Sequence, residues 1–376
     1  MWKVPLFKLN FDHQESDAVS AVIESRWLTM GERIQSFEST FAENLGGEVF
    51  CTALSSCTAA LHLALLALDV GNSDEVVIPA LTFVADINAV EMVGATPVLA
   101  DCGSYANWNV TADSIKACLT EKTKAVIVVH FAGYPCEMDA ITALCKERGI
   151  RLIEDVAHAP GASYKGQTCG TFGDFGCFSF FTNKNLSIGE GGMLSAKSAE
   201  LSQQAQFLRS HGMTTLTLDR HKGRAISYDV VRPGLNYRMD EIRAAIGLVQ
   251  LSKLQAGNLQ RGVLVERCVA ALNECEKVTV PFIGLQDCVS AYHILPVLLD
   301  KDVDRISVIN AMKNKGVQTS IHYPSFRQFS AYKDRHFQAT PIADDIAERV
   351  LTLPLFPSMS FGQMDWVIES LLEALG

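Results

Sequence analysis

Phe178-Ser179-Phe180-Phe181-Thr182-Asn183-Lys184-Asn185-Leu186-Ser187-Ile188-Gly189-Glu190-Gly191-Gly192 sets an aromatic, strand-like run against a glycine-rich turn, with a single lysine between them. No other charge occurs in it before Glu190. An ammonium in so apolar a stretch is costly to bury unless its pKa falls or a partner meets it. A lysine held that way suits attack of a neutral amine on a carbonyl. The plainer alternative is a surface lysine in the loop after a strand.

Outward from this stretch, short apolar runs alternate with amphipathic ones. Strands are predicted over 49–53, 75–79, 96–100, 125–131, 151–155, 176–180 and 193–196, with helices over 59–68, 84–93, 114–119 and 137–148. Fully apolar strands separated by helices predict an α/β fold whose mainly parallel seven-stranded sheet is covered on both faces. Past Asp240 the texture changes. A long helical pattern over 240–275, with a break near Gly257, leads to strands over 291–299 and 318–323 and helices over 304–315, 342–351 and 361–375. This predicts a large domain over 1–250 and a smaller α+β domain over 251–376. The polar stretch 212–232 reads as a loop, and long loops in compact enzymes are often functional.

Composition narrows the function classes. Of 376 residues, 48% are hydrophobic and 20% charged, which suits a well-buried enzyme of two domains rather than a disordered chain. A net charge of −10 without basic runs argues against nucleic acid as a partner. No apolar run is long enough to predict a membrane span, and the first residues lack a signal pattern. The eleven cysteines contain no Cys-x-x-Cys pair, and the nine histidines show no metal-ligand spacing. Free thiols in a reducing cytoplasm, and no metal site, are therefore expected.

Open parallel sheets bind ligands at the carboxyl ends of their strands. Ser55-Ser56-Cys57-Thr58 falls at one such end and opens a helix. Backbone N–H groups, the helix N-terminus and the Thr58 hydroxyl there attract phosphate, although the same residues serve as ordinary N-caps. At a second end stand Glu154-Asp155, with His158 three residues on. Successive strand residues face opposite ways, so only one carboxylate need point into the crevice, where it can hold a pyridine nitrogen in its protonated form. Phe83, after a third strand, offers a flat surface for an aromatic ring, or else a core residue. Ser179 offers a hydroxyl near any phosphate beside Lys184. A phosphate cradle, a stacking ring, a carboxylate and a buried lysine together match pyridoxal 5′-phosphate (PLP).

These blocks resemble the DegT/DnrJ/StrS sugar aminotransferases, which are fold-type I PLP enzymes. The likeness runs through Ser25–Gly31, Ser55–Leu66, Pro79–Val90, Glu154–Tyr164, Gly173–Gly192, Gly234–Ile242 and Ile321–Pro324. The resemblance implies that Lys184 joins the cofactor aldehyde and that Asp155 binds the ring nitrogen. His158 would lie near the phenolic oxygen, and Phe83 would stack on the ring. Cys57 (through its backbone), Thr58 and Ser179 would contact the phosphate. Asn236 would reach it from the partner subunit of a homodimer. Trp27, Thr29, Arg238, His322 and Tyr323 are the implied substrate contacts.

The implied reaction moves an amino group from an amino acid, L-glutamate above all, to a keto or aldehydo sugar, nucleotide-linked in most of the family, toward amino sugars and surface polysaccharide. For a non-nucleotide acid sugar, Arg224, Arg232 and Arg238 are candidate carboxylate partners. Other relatives are dehydratases, in which histidine replaces the lysine, aromatising enzymes and non-catalytic regulators. Lys184 argues against the first. A nucleotide-binding role for Ser55–Thr58 lacks any P-loop or Gly-x-Gly-x-x-Gly.

Overall fold

The structure, a computed structural model, describes residues 2–214 and 227–376. Its largest sheet has seven strands in the order Phe50–Leu54, Gly192–Ala196, Phe175–Ser179, Arg151–Asp155, Thr123–Val129, Glu75–Pro79 and Thr96–Ala100. All run parallel except Gly192–Ala196, which is antiparallel to both neighbours. The sheet agrees with the predicted fold class.

Two-residue periodicity sorts its side chains. Ile78, Ile127, Ile153 and Cys177 pack with Leu61, Ala64 and Ile87, from the helices Cys57–Ala67 and Ala85–Met92, on one face. Val77, Val126, Val128 and Leu152 turn to the other face, against Met138, Ile141 and Leu144 of the helix Met138–Arg148. Further along that second face, Ala53, Phe178 and Met193 meet Phe37 and Phe41 of the helix Glu32–Asn44, and Leu251 and Leu254 of Glu241–Leu272. A separate cluster joins Leu295, Val297 and Leu299 to Leu351, Leu353, Met312, Val367 and Leu371 around a three-stranded antiparallel sheet, Val278–Thr279, Leu295–Leu299 and Val350–Leu353.

Three expectations need correction. The helix Glu241–Leu272 runs through Gly257 without a break. One glycine costs a helix only about 1 kcal/mol, and buried Leu254, Asn258 and Arg261 anchor the helix on both sides of it. The helix expected over 342–351 ends at Arg349, and Val350–Leu353 is a strand. Val350 is already extended, and Pro354 biases Leu353 the same way. Residues 318–323 form no strand, because their pairing is split: Gln318 donates to Val4, while Ser320 bridges Thr352.

Candidate active site

The site forms where the strand order brings three chain segments together. Gly192 pairs with Leu54 on one side and Ser179 on the other. A Cβ on Gly192 would lie 2.5 Å from the Ser56 carbonyl carbon, so only glycine permits this approach. Ser56 caps the helix Cys57–Ala67 by accepting from the Ala59 N–H at 3.1 Å. The N–H groups of Cys57 and Thr58, in the first turn, have no intrahelical acceptor and are available to an anion. A cavity of about 350 Å³ opens there. Its lining includes Cys57, Thr58, Phe83, Asp155, His158, Ser179, Lys184, His322 and Tyr323.

The sheet's alternation decides which carboxylate faces this cavity. Ile153 points toward the Cys57–Ala67 helix, so Asp155 does too. Glu154 points the other way and is saturated: it meets His130 Nε2 at 3.0 Å and accepts from the N–H groups of Gly170, Phe172 and Gly173. Asp155 Oδ1 accepts from the Ala157 N–H at 2.8 Å. Beside it lies fully buried Asp86, whose Oδ2 accepts from Thr82 Oγ1 at 2.5 Å. Burial raises the pKa of both acids, and of Asp86 much further. The Ala157 N–H and the Lys184 charge favour ionised Asp155, so Asp86 is the member that holds a proton.

Lys184 extends from a turn tied down by Lys184 N–H to Phe181 O and Ile188 N–H to Phe180 O, both at 2.9 Å. Burial lowers its ammonium pKa to about 8, against the opposing pull of Asp155 and Cys57. Three histidines surround the amine, all held neutral chiefly by burial: His158 and His293 well below the usual range, and His322 at about 4. The Ala132 N–H donates to His158 Nδ1 at 3.2 Å, which leaves the ring proton on Nε2. That N–H donates to the Tyr323 oxygen at 2.9 Å, so the Tyr323 hydroxyl can turn its own proton elsewhere. Phe83 is 54% exposed at the rim, its ring centroid 5.6 Å from that of Tyr323. Asn183 Oδ1 is buried at the cavity wall, with no hydrogen-bond partner among the described residues.

Other candidates stand apart from the cavity. Trp27 Nε1 donates to Met30 O at 3.3 Å, and Thr29 is exposed. Asn236 is exposed and bridges Ser210, while Arg238 bridges Leu54, so this segment runs along the sheet's edge. Arg232 lies near the far end of the Cys57–Ala67 helix, close to Leu66 O and Asp69. Arg224 lies outside the described residues. Sequence reading missed Asp86 and His293. The first stands out as a carboxylate amid the apolar run Leu81–Ile87, and the second has only its place before an apolar strand.

A buried amine that is partly neutral near pH 8 is a carbonyl nucleophile, and a helix N-terminus takes phosphate. PLP carries both an aldehyde and a phosphate, and its ring nitrogen needs an acid partner such as Asp155. Fold and cavity thus define a fold-type I PLP-dependent enzyme. The sequence model of the DegT/DnrJ/EryC1/StrS aminotransferase family matches residues 10–372, and the chain belongs to this family.

Similar solved structures include the aminotransferase TlmJ from Streptoalloteichus hindustanus, with 35% identity and a TM-score of 0.91 over 100% of this chain and 99% of that one. Spr1654 from Streptococcus pneumoniae, a candidate sugar aminotransferase, is 28% identical in its PLP form, with a TM-score of 0.90 over 100% and 98%. PseC of Helicobacter pylori, an aminotransferase involved in pseudoaminic acid biosynthesis, is 25% identical with a TM-score of 0.90, again over 100% and 98%. The protein is a PLP-dependent aminotransferase. Among the described residues no helix is long and apolar enough to cross a membrane, and no group of three metal-ligating side chains converges.

Proposed function

We propose that the protein transfers an amino group from an amino acid, L-glutamate first among donors, to a keto or aldehydo sugar carried on a nucleotide, in making amino sugars for surface polysaccharide. The observation that carries this reading is Lys184, an enclosed amine with its pKa lowered to about 8, sharing one cavity with Asp155. The sugar acceptor is supported by the likeness to Spr1654 and PseC. A reducing cytoplasm agrees with eleven free cysteines.

Each role follows from placement. Cys57 N–H, the Thr58 hydroxyl and N–H, and Ser179 would hold the phosphate. Phe83 would cover one ring face, Asp155 would keep the ring nitrogen protonated, and His158 would stand near the phenolic oxygen. Bound there, PLP supplies an aldehyde that carries the amino group and a cationic ring that withdraws electrons from the reacting carbon. Lys184 Nζ, with its lone pair available near neutral pH, takes up and returns the proton of the donor's α-carbon. Tyr323, its oxygen occupied by His158 as acceptor, would donate to a substrate oxygen, with His322 beside it. Asn236, on the exposed edge, would complete the phosphate site of a second subunit in a homodimer, with Trp27, Thr29 and Arg238 meeting substrate at that boundary.

The test is to load the protein with PLP and follow its visible absorbance as glutamate and then a panel of keto sugars are added. Glutamate should bleach the absorbance and the correct sugar restore it. Lys184→Ala should lose turnover, and wild-type rates in that variant would sink the reading. Mixing Lys184→Ala with Asn236→Ala should regain activity if the sites are shared between subunits. No recovery from the mixture would count against composite sites.

A further inference from the structure

His293 enters the site from the chain segment before Leu295–Leu299, and its Nε2 lies 3.4 Å from Lys184 Nζ. Its other ring nitrogen, Nδ1, is 2.9 Å from Asn185 Oδ1. Two backbone carbonyls fix every proton in this chain. Asn258 Nδ2 donates to Pro160 O at 2.9 Å, so its amide oxygen must be the atom facing Asn185. Asn185 Nδ2 donates to that oxygen at 2.8 Å and to Ala291 O at 2.7 Å. Turning either amide over would set oxygen against carbonyl oxygen. Asn185 therefore presents only an acceptor to His293, and Nδ1 must carry the ring proton. The lone pair is left on Nε2, aimed at the lysine. Asn185, Asn258 and His293 are all buried, so water has little access to scramble the arrangement.

We propose that His293 is a positioning residue for Lys184: locked as the Nδ1–H tautomer by Asn185 and Asn258, it accepts an N–H hydrogen bond from the amine and aims the remaining valence of that nitrogen into the cavity. The device matters whenever Lys184 is not joined to the cofactor. A free lysine side chain has several rotamers, and misplacement by about 1 Å costs about a hundredfold in rate. A neutral acceptor also favours the ammonium form, opposing the fall in pKa that burial causes. The other groups facing the amine are Asp155, Cys57, His158 and His322, while His293 itself faces His158, His322 and Arg261. Arg261 Nη1 is committed to the carbonyls of His293 and Leu355.

This inference rests on Lys184 being the cofactor-binding amine, and two independent readouts separate its failure from the failure of that reading. First, histidine-¹⁵N spectra of the full-length, cofactor-free protein should show His293 as an Nδ1–H imidazole that does not titrate between about pH 5 and 8. A proton on Nε2, or a titration in that range, would overturn the proposal whatever the enzyme's activity. Second, His293→Asn keeps an N–H for Asn185 but removes the acceptor at Lys184, whereas His293→Gln places an amide oxygen near the Nε2 position. His293→Asn should lower kcat about tenfold to a hundredfold with little change in KM. It should also move the lysine limb of the pH profile to lower pH, and His293→Gln should restore both. Unchanged kcat and pH limb in His293→Asn would refute the role, as would equal losses in both variants with no shift of the limb. Turnover persisting in Lys184→Ala would instead overturn the assignment of the amine.

Discussion

Lys184→Met, studied in the cofactor-free protein, puts a magnitude on the burial of the amine. Enclosing the ammonium lowers its pKa from 10.5 to about 8. At about 1.4 kcal/mol per tenfold, that fall amounts to about 3 kcal/mol of lost stability while the lysine is charged. The side chain keeps some surface open to the cavity, so the cost is discounted to about 1–3 kcal/mol. Methionine removes the charge but leaves His293 Nε2 without its donor, a loss of about 1 kcal/mol.

Lys184→Met should therefore unfold at higher urea than the wild type near pH 7, by up to about 2 kcal/mol. The sign with pH follows from proton uptake. Between pH 8 and 10.5 the unfolded wild type binds the proton that the folded form has released, so wild-type stability climbs through this window. Groups that do not feel the Lys184 charge titrate alike in both proteins and cancel in the difference. The variant's advantage should shrink, and reverse, as pH passes from about 8 to 10.5. A variant less stable than wild type at pH 7, or a difference flat with pH, would refute the account of the buried amine.

Other expectations follow from the same geometry. Asp86 has a raised native pKa, so its stabilising contribution is full below the unfolded value of 3.8 and is lost as pH rises through the native one. Asp86→Asn should accordingly gain on the wild type in thermal unfolding as pH climbs above 3.8, and a constant difference would contradict a protonated Asp86. Asp155→Ala should cut turnover by about a hundredfold or more while the fold persists, as judged by circular dichroism. Near-normal kcat would remove Asp155 from the chemistry. Glu154→Ala, by contrast, strips acceptors from buried N–H groups and should cost about 3 kcal/mol or more in urea unfolding. Gly192→Ala forces a Cβ onto Ser56 and Cys57, so PLP retention measured by equilibrium dialysis should weaken, and unaltered affinity would place the phosphate elsewhere.

Much of the large sheet was legible because its strands are local apolar runs whose period does not depend on partners. The residues themselves pointed to Lys184, the Glu154-Asp155 pair, His158, Phe83 and the Ser55–Thr58 turn, and the resemblance chose Asp155 of the pair. The structure gathers Lys184, Asp155, His158, Phe83, Cys57 and Thr58 around one cavity. The second sheet was read less well. Residues 342–351 carry a helical pattern into what becomes a strand, since pairing with Leu295–Leu299 outweighs local preference at Val350–Leu353.

The sequence alone determined the α/β class, the order of the ligand-bearing turns and the single lysine in an uncharged run, because each is written in neighbouring residues. Only the tertiary structure decided that Asp155 faces the cavity while Glu154 is consumed by Gly170, Phe172 and Gly173. The two look alike in the chain and differ by one step of the pleat. It likewise decided that Asp86 shares a buried site with Asp155, and that His293, 109 residues from Lys184, meets its amine. The His293 contact depends on how the segment before Leu295–Leu299 packs over the sheet, and no periodicity within that segment encodes what it packs against.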